Sequence, residues 1–516
     1  MTGREAWRRR VESDGPRTFL KAGDQAWTFA EADREIRRLA AGLAREGVTK
    51  GTRVAVGMEN SVPTLFAHFA LRELGAVMVA LTPGLGRAEL EFQVVHSEAT
   101  VLLADDAMAA VLGPDLARLG SLEKTFVDSA DAGAYAARPL AGLFDVEPIE
   151  LDALPTVDDL DPSLILYTSG STSKPKGVVI PAGSFASVGC GWAASFGVVA
   201  EDTFLLPFTL AHGVGALVVQ GIAVASGCAI ALEPKFSPSV FWQRVEATGS
   251  TVTLLFPAQL QILLITAEDA PAESGLRLVL SHVYDTTFRD RFDVDVATVW
   301  GSTEIGAHGA GGLRSRDSGH PEGYVGTPLG DEEIRIVAAD GHDRPPGEVG
   351  EVIVRHRLAM IEYLNDPEAT FATRDEDGWI HTGDRGFLDH EGALHYAGRI
   401  KNMIKRSGEN VAPEELEVLL TEHPSISEAV VFGVPDPIRT EEIGLVASST
   451  IPPSEVRAFV QSHMAPWKAP RYVLLVPDHL PKLPSGKIDR QAVERSFSID
   501  AAWDATTVAP DVGRNQ

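Results

Sequence analysis

Alternation between two hydrophobic periods restricts this fold more than any single motif does. Gly51-Thr-Arg-Val-Ala-Val-Gly57 reads as a strand, residues 64–74 as a helix and Gly75-Ala-Val-Met-Val-Ala80 as the next strand. Alternation of this kind predicts βαβ units around a mainly parallel sheet. Upstream, residues 1–20 read as a short helix and lead-in loop, and residues 31–46 repeat Ile36, Leu39 and Leu43 at helical spacing. Residues 100–162 are less regular, with the proline- and aspartate-bearing stretch 155–162 as a linker, and a second βα run follows to residue 300. From Gly323-Tyr-Val-Gly-Thr-Pro328 through Gly347-Glu-Val-Gly-Glu-Val-Ile-Val354 the pattern turns to short strands and Gly/Pro turns, expected as a small β-barrel or sandwich. Beyond residue 401 come a helix from Pro413, a strand at 430–434, a helix at 455–463 and a strand at 472–476. The expected class is α/β: an N-terminal domain over 1–400 with a β-rich subdomain over about 323–400, and an α+β domain over 401–516. Its patternless tail, about 500–516, is expected to be disordered.

The 516 residues suffice for a large core and a second domain. A net charge of −27 argues against nucleic acid or an anionic membrane as partner, because either needs a basic face. Any anionic substrate must then be held by a few local cations. Arg8-Arg9-Arg10 precedes no apolar segment, so it does not read as a signal peptide. The uncharged run 214–232 is broken by Gln220, Ser226 and glycines and reads as a buried helix followed by a buried strand, not as a span. Cys190 and Cys228 are the only cysteines and lack metal or redox spacing, which makes a reducing cytoplasm the expected compartment.

Within this frame, Leu166-Tyr-Thr-Ser-Gly-Ser-Thr-Ser-Lys-Pro-Lys-Gly-Val178 breaks an apolar strand with hydroxyls, glycines and lysines, then resumes as Val178-Val-Ile180. Thr168, Ser169, Ser171, Thr172 and Ser173 offer hydroxyl donors, Lys174 and Lys176 add charge, and Gly170 and Gly177 permit close backbone approach. It is not a Walker A loop, since Lys176 precedes the second glycine and a strand follows. The stretch resembles the phosphate-binding signature of the adenylate-forming superfamily of acyl-CoA synthetases, peptide-synthetase adenylation domains and luciferases.

That resemblance spans about residues 20–495, with the motifs in order. It implies that Thr168, Ser169, Gly170, Ser171, Thr172, Ser173 and Lys176 hold phosphates. In Trp300-Gly-Ser-Thr-Glu304 it implies that Trp300, Gly301 and Ser302 border the nucleotide, Thr303 touches the α-phosphate and Glu304 holds Mg²⁺. By residue chemistry alone, Thr303 and Glu304 also read as helix caps. The resemblance further implies ribose contacts at Asp384 and Arg399, a hinge at Lys401 for a mobile C-terminal domain, and Lys487 on the bond-forming oxygens. Lys405, Ser407 and Gly408 would border the CoA arm. Acyl-pocket walls would include His212, Val214, His282, Trp300 and His308, although a lone histidine such as His212 in an apolar run also reads as a core residue.

Two stretches depart from the family. Pro181-Ala182 stands where a Ser/Thr-His pair is usual, and Ser281-His-Val-Tyr-Asp285 replaces a glycine-rich turn that packs on adenine. Val283 and Tyr284 cannot take glycine conformations at low cost, so Tyr284 is expected to stack on adenine and Asp285 to accept from its amino group. The resemblance implies an AMP-forming ligase using ATP, Mg²⁺ and coenzyme A to convert a carboxylic acid, by way of acyl-AMP, to a thioester. Amino-acid pockets of the peptide-synthetase branch usually carry an Asp for the α-amine just after the His segment; Lys235-Phe236-Ser237 offers none, so the resemblance implies a non-amino acid. Alternatives left open are loading of a carrier protein, reliance on preformed acyl-AMP, a luciferase-type oxygenase and a non-catalytic binding relative. The oligomeric state stays open, a homodimer among the options.

Overall fold

A computed structural model describes residues 1–168, 175–266, 274–313, 321, 323–399, 403–477, 479–482 and 488–507. The chain divides into two compact units. One comprises residues 1–83, 90–168 and 176–400; the other comprises 84–89, 169–175 and 401–516.

The larger unit is built on two sheets. In the thirteen-stranded sheet, Thr18–Ala22, Ala229–Leu232, Thr203–Leu206, Val252–Leu254, Leu278–Ser281 and Asp295–Trp300 lie side by side and parallel. Thr203–Leu206, Ala229–Leu232 and Leu278–Ser281 are mostly apolar and buried on both faces, as helix-covered parallel strands require. Past Trp300 the pairing turns antiparallel through Ala310–Gly312 and Tyr324–Pro328. It then runs on to Leu394–Arg399, Trp379–Leu388, Gly350–Arg355 and Glu333–Val337. The strands of the expected β-rich subdomain are therefore reached along one continuous path of pairings from the large sheet.

The eight-stranded sheet carries Arg53–Gly57, Val77–Ala80, Val101–Asp105, Lys124–Asp128 and Pro162–Thr168 as parallel neighbours. Two of these, with the helix Asp106–Leu112, lie in the stretch that looked irregular in sequence; each has only five to seven residues, too few to show a clear period. Pro162–Thr168 turns back antiparallel onto Lys176–Pro181, which pairs in turn with Glu362–Tyr363. Aromatic rings knit the core: Trp7 lies 4.9 Å from Phe19 and 4.7 Å from Phe69, and Phe69 lies 5.9 Å from Phe185.

The run 214–232 opens as a π-helix, Val214–Val219, continues as the α-helix Gln220–Ser226 and ends in the strand Ala229–Leu232. Half-buried Arg72 donates to the Ala216 carbonyl in that wider turn and stacks 4.2 Å from the Phe185 ring. Burial lowers its pKa to about 9. Among the described residues no helix is long and apolar enough to cross a membrane.

The smaller unit has its own sheet and core, with Ile404, Leu416, Val431, Leu445, Val460 and Val473 packed together. Residues 503–504, expected in the tail, form the strand Trp503–Asp504 on Tyr472–Val476, and Asp504 pairs with Arg471 at 3.2 Å. Apolar burial of Trp503 and this ion pair outweigh the weak local pattern. Residues 508–516 lie outside the described residues.

Candidate active site

Parallel strands leave their carboxyl ends open to ligands, because each is followed by a loop that must leave the sheet. Phe208, Phe256, His282 and Gly301 follow four such strands of the large sheet. The loops after Leu254 and Ser281 bring rings together: His282 stacks parallel to Phe256 at 5.6 Å, with an interplanar angle of 1°, while Phe208 meets Phe256 edge-on at 5.1 Å. His212 approaches the same Phe256 ring at 5.9 Å, and its Nδ1 accepts the Val214 N–H at 3.1 Å. His212 Nε2 therefore carries the proton of the neutral ring. Buried Asn60 steadies this loop by accepting the Leu210 N–H at 2.7 Å.

The turn after Asp295–Trp300 holds the charged centre. Tyr363 donates its hydroxyl to Glu304 Oε1 at 3.0 Å, the Glu304 carbonyl accepts the Met360 N–H at 2.9 Å, and Lys176 Nζ sits 4.8 Å above the Tyr363 ring. Strand pairing explains the meeting: Glu362–Tyr363 lies on Lys176–Pro181, so the residue that leaves the phosphate loop and the partner of Glu304 are neighbours. Burial first, and then the negative Glu304, push the Tyr363 pKa well above the usual phenol range, so its hydroxyl remains a donor.

Beside it, Asp384 is 4% exposed and accepts from Trp300 Nε1 at 2.9 Å and from Arg399 Nε at 2.7 Å. Asp384 and Arg399 are cross-strand partners, which fixes their separation. Burial disfavours the Arg399 charge, but Asp384 and Glu304 outweigh it and raise its pKa. Each Asp384 oxygen has accepted one hydrogen bond and retains a lone pair for a hydroxyl donor. Ser302 Oγ is buried and has no hydrogen-bond partner among the described residues, a donor left unspent beside Glu304.

Other expected site residues lie elsewhere. His308 is 3% exposed; it stacks at 3.7 Å on His356, and its nitrogens meet the Ile305 carbonyl at 3.0 Å and the Ser187 hydroxyl at 3.2 Å. It is buried among these partners, at a position that the resemblance assigned to the acyl pocket. Tyr284 accepts from Arg289 at 2.6 Å and packs against the buried cluster that includes Phe241 and Phe288. Asp285 caps the helix Thr286–Phe292, its Oδ1 accepting the Phe288 N–H at 2.9 Å and its Oδ2 the Gln261 amide at 2.7 Å. As at Asp384, each Asp285 oxygen has accepted one hydrogen bond and retains a lone pair. Val214 opens the π-helix, and Thr168 and Lys176 form the last register pair before the phosphate loop. In the smaller unit, Lys405 lies on the hairpin strand Ile404–Arg406 and Ser407 and Gly408 form its turn, with φ of 54° and 93°. Ser169, Gly170, Ser171, Thr172, Ser173, Lys401 and Lys487 lie outside the described residues.

Sequence reasoning missed Tyr363, Phe256 and His356. Tyr363 stands in the unremarkable run Ile361-Glu-Tyr-Leu364, and only its strand pairing carries it to Glu304.

The AMP-binding enzyme family model matches residues 7–364, and that of the AMP-binding enzyme C-terminal domain matches residues 415–487. The chain belongs to the AMP-binding enzyme family, and it is an AMP-forming acid–CoA ligase. Similar proteins include the crotonobetaine/carnitine–CoA ligase of Escherichia coli O157:H7, 32% identical over 489 residues that cover 90% of this chain and 92% of that one. A probable CoA ligase of Humulus lupulus is 30% identical over 503 residues, covering 94% of each. Among solved structures, the o-succinylbenzoate CoA synthetase of Bacillus subtilis superposes with a TM-score of 0.83 at 26% identity, covering 95% of this chain and 98% of that one.

Proposed function

We propose that the enzyme activates a non-amino carboxylic acid with ATP and Mg²⁺ and transfers the acyl group to free coenzyme A. The observation that carries this reading is the convergence of Glu304, Tyr363, Asp384, Arg399 and Trp300, from distant segments, at one strand end. Carboxylate attack on the α-phosphate brings an anion onto a polyanion, so fixed donors and cations must stand where charge develops. Lys176 and the hydroxyls from Thr168 to Ser173 take the outer phosphates, Asp384 and Arg399 orient the ribose, and Thr303 and Ser302 face the α-phosphate. Lys487 holds the bond-forming oxygens in the first half-reaction.

Among the described residues no group of three or more His, Cys, Asp or Glu side chains is arranged to hold a metal ion. A single carboxylate at Glu304, positioned by Tyr363, fits Mg²⁺, which takes one or two carboxylates and completes its shell with water and substrate phosphates. When bound, Mg²⁺ neutralises phosphate charge. Both Tyr363 and Lys176 assist by fixing the carboxylate and adding local positive charge.

In the second half-reaction the pantetheine arm passes the Ser407-Gly408 turn near Lys405, and Lys401 is the hinge of the change between half-reactions. Rings at His212, Phe256 and His282, with Val214 and Trp300, form an apolar acyl wall. Free thiols at Cys190 and Cys228 fit a reducing, cytoplasmic setting. A panel of acids assayed for AMP release with CoA tests the reading. Apolar or aromatic acids should lead, and preference for an α-amino acid, or for a carrier-protein acceptor over CoA, would overturn it.

A further inference from the structure

We infer that His308 and His356 form a buried clamp that sets where the Glu304 carboxylate meets the Tyr363 hydroxyl, which makes both positioning residues for the divalent-cation site. The inference rests on the reading of Glu304 as the Mg²⁺ ligand.

Their rings stack at 3.7 Å with an interplanar angle of 25°, and both are buried. The hydrogen bonds fix opposite tautomers. His308 Nδ1 faces the Ile305 carbonyl at 3.0 Å, so it must carry the proton, and its Nε2 accepts from the Ser187 hydroxyl at 3.2 Å. In His356 the order reverses: Nδ1 accepts the Leu358 N–H at 3.1 Å, and Nε2–H donates to Asp331 at 2.9 Å. Burial first, and then neighbouring His356, lower the His308 pKa to about 3, in keeping with a neutral ring.

Each imidazole holds one side of the Glu304–Tyr363 contact. His308 grips Ile305, the residue after Glu304. His356 begins the segment that reaches Glu304 twice, through the Met360 N–H to its carbonyl at 2.9 Å and the Tyr363 hydroxyl to its side chain at 3.0 Å. Ser184 donates to the Leu358 carbonyl at 2.7 Å and Trp192 to the Ala307 carbonyl at 3.2 Å, so one helix, Ser184–Ser195, steadies both sides. The turn has little slack. Gly306 and Ala307 both sit at φ 63°, and a Cβ on Gly306 would lie 3.1 Å from the Leu358 carbonyl and 3.3 Å from His308 Nδ1. Turn and segment, remote in sequence, are thus tied at one end by the ring stack and at the other by Glu304.

The test is Mn²⁺ titration followed by electron paramagnetic resonance on the full-length enzyme with ATP, which reads cation affinity apart from turnover. His308→Ala should weaken Mn²⁺ binding about tenfold, the loss of a positioning hydrogen bond. It should raise the Mg²⁺ needed for half-maximal pyrophosphate exchange by a similar factor and leave CoA-dependent turnover of supplied acyl-AMP near that of the wild type. His308→Asn, which keeps an N–H donor near Nδ1, should restore most of the affinity. In ¹⁵N spectra of the wild type, the histidine signal that vanishes in His308→Asn should be the neutral Nδ1–H tautomer, a readout that needs no turnover. Unchanged Mn²⁺ affinity in folded His308→Ala, or an Nε2–H tautomer at His308, overturns the clamp. Glu304→Gln separates the two failures: if it binds Mn²⁺ like the wild type, the ligand reading itself falls. If it loses Mn²⁺ while His308→Ala does not, only the clamp falls.

Discussion

Two turns leave neighbouring parallel strands of one sheet, yet their polar side chains are put to opposite uses. After Asp295–Trp300, Glu304 faces Tyr363 across a gap closed by another segment, with Lys176 behind the ring. After Leu278–Ser281, Asp285 spends its carboxylate on capping the next helix and on Gln261, and Tyr284 spends its hydroxyl on Arg289. The first turn keeps the family's residues and is held from outside, by buried rings and a cross-strand neighbour. The second, where the resemblance would put a glycine-rich turn, is held by its own Asp285 and Tyr284 and by Gln261 of the helix Pro257–Thr266. Glu304 is thus positioned by a residue remote in sequence, whereas Asp285 is fixed by the helix that it caps and by Gln261.

The largest effect should come from the first turn. Glu304→Gln is expected to lower acid-dependent pyrophosphate exchange by about 10²–10³, the scale of removing one preorganised electrostatic group. Lys487→Ala should lose as much in that assay and little in CoA-dependent turnover of supplied acyl-AMP; equal losses in both would remove the argument for two separate half-reactions.

Next comes the acid sensitivity of the first turn's support. The His308 pKa of about 3 lies below the ordinary 6.5. Between those values the unfolded chain binds a proton that the folded chain does not. Stability therefore falls as pH drops below 6.5, by up to about 1.4 kcal/mol per pH unit. His68, lowered by burial and by Arg72, acts in the same direction. Urea-unfolding midpoints from pH 7 to pH 5 should show this slope, and His308→Asn should reduce it.

Tyr363→Phe removes one hydrogen bond to Glu304 and should cost about tenfold in exchange, with the Mg²⁺ requirement raised. A normal Mg²⁺ requirement in that variant would uncouple Tyr363 from the cation.

The second turn should give the smallest catalytic effects. Asp285→Ala is expected to cost about 1 kcal/mol of stability through the lost cap, with the KM for ATP raised less than threefold. ITP, which exchanges the adenine amino group for a carbonyl, should support exchange within about threefold of ATP, less than one hydrogen bond is worth. A tenfold KM increase in stably folded Asp285→Ala would make the second turn a base reader and erase the contrast.

Much of this was legible before any coordinates. The period of the apolar residues carries the βα alternation, and the hydroxyl- and glycine-rich loop, the Gly-Ser-Thr-Glu turn and Asp384 carry their chemistry in their residue types. The histidines were not legible. His212, His282 and His308 each stand in apolar or glycine-rich surroundings, and nothing local distinguishes a ring that borders a loop from one enclosed in the core.

The sequence by itself determined which local elements form and which hydroxyl, carboxylate and basic side chains stand in turns, because hydrophobic period, turn residues and functional groups are properties of short stretches. Only the tertiary structure decided which of those side chains meet. The Glu304–Tyr363 and Trp300–Asp384 contacts join residues 59 and 84 positions apart, through strand pairings whose register depends on the whole sheet. The same pairings seal His308 against His356 and leave Glu304 at the edge, since burial is a property of packed neighbours rather than of residue type.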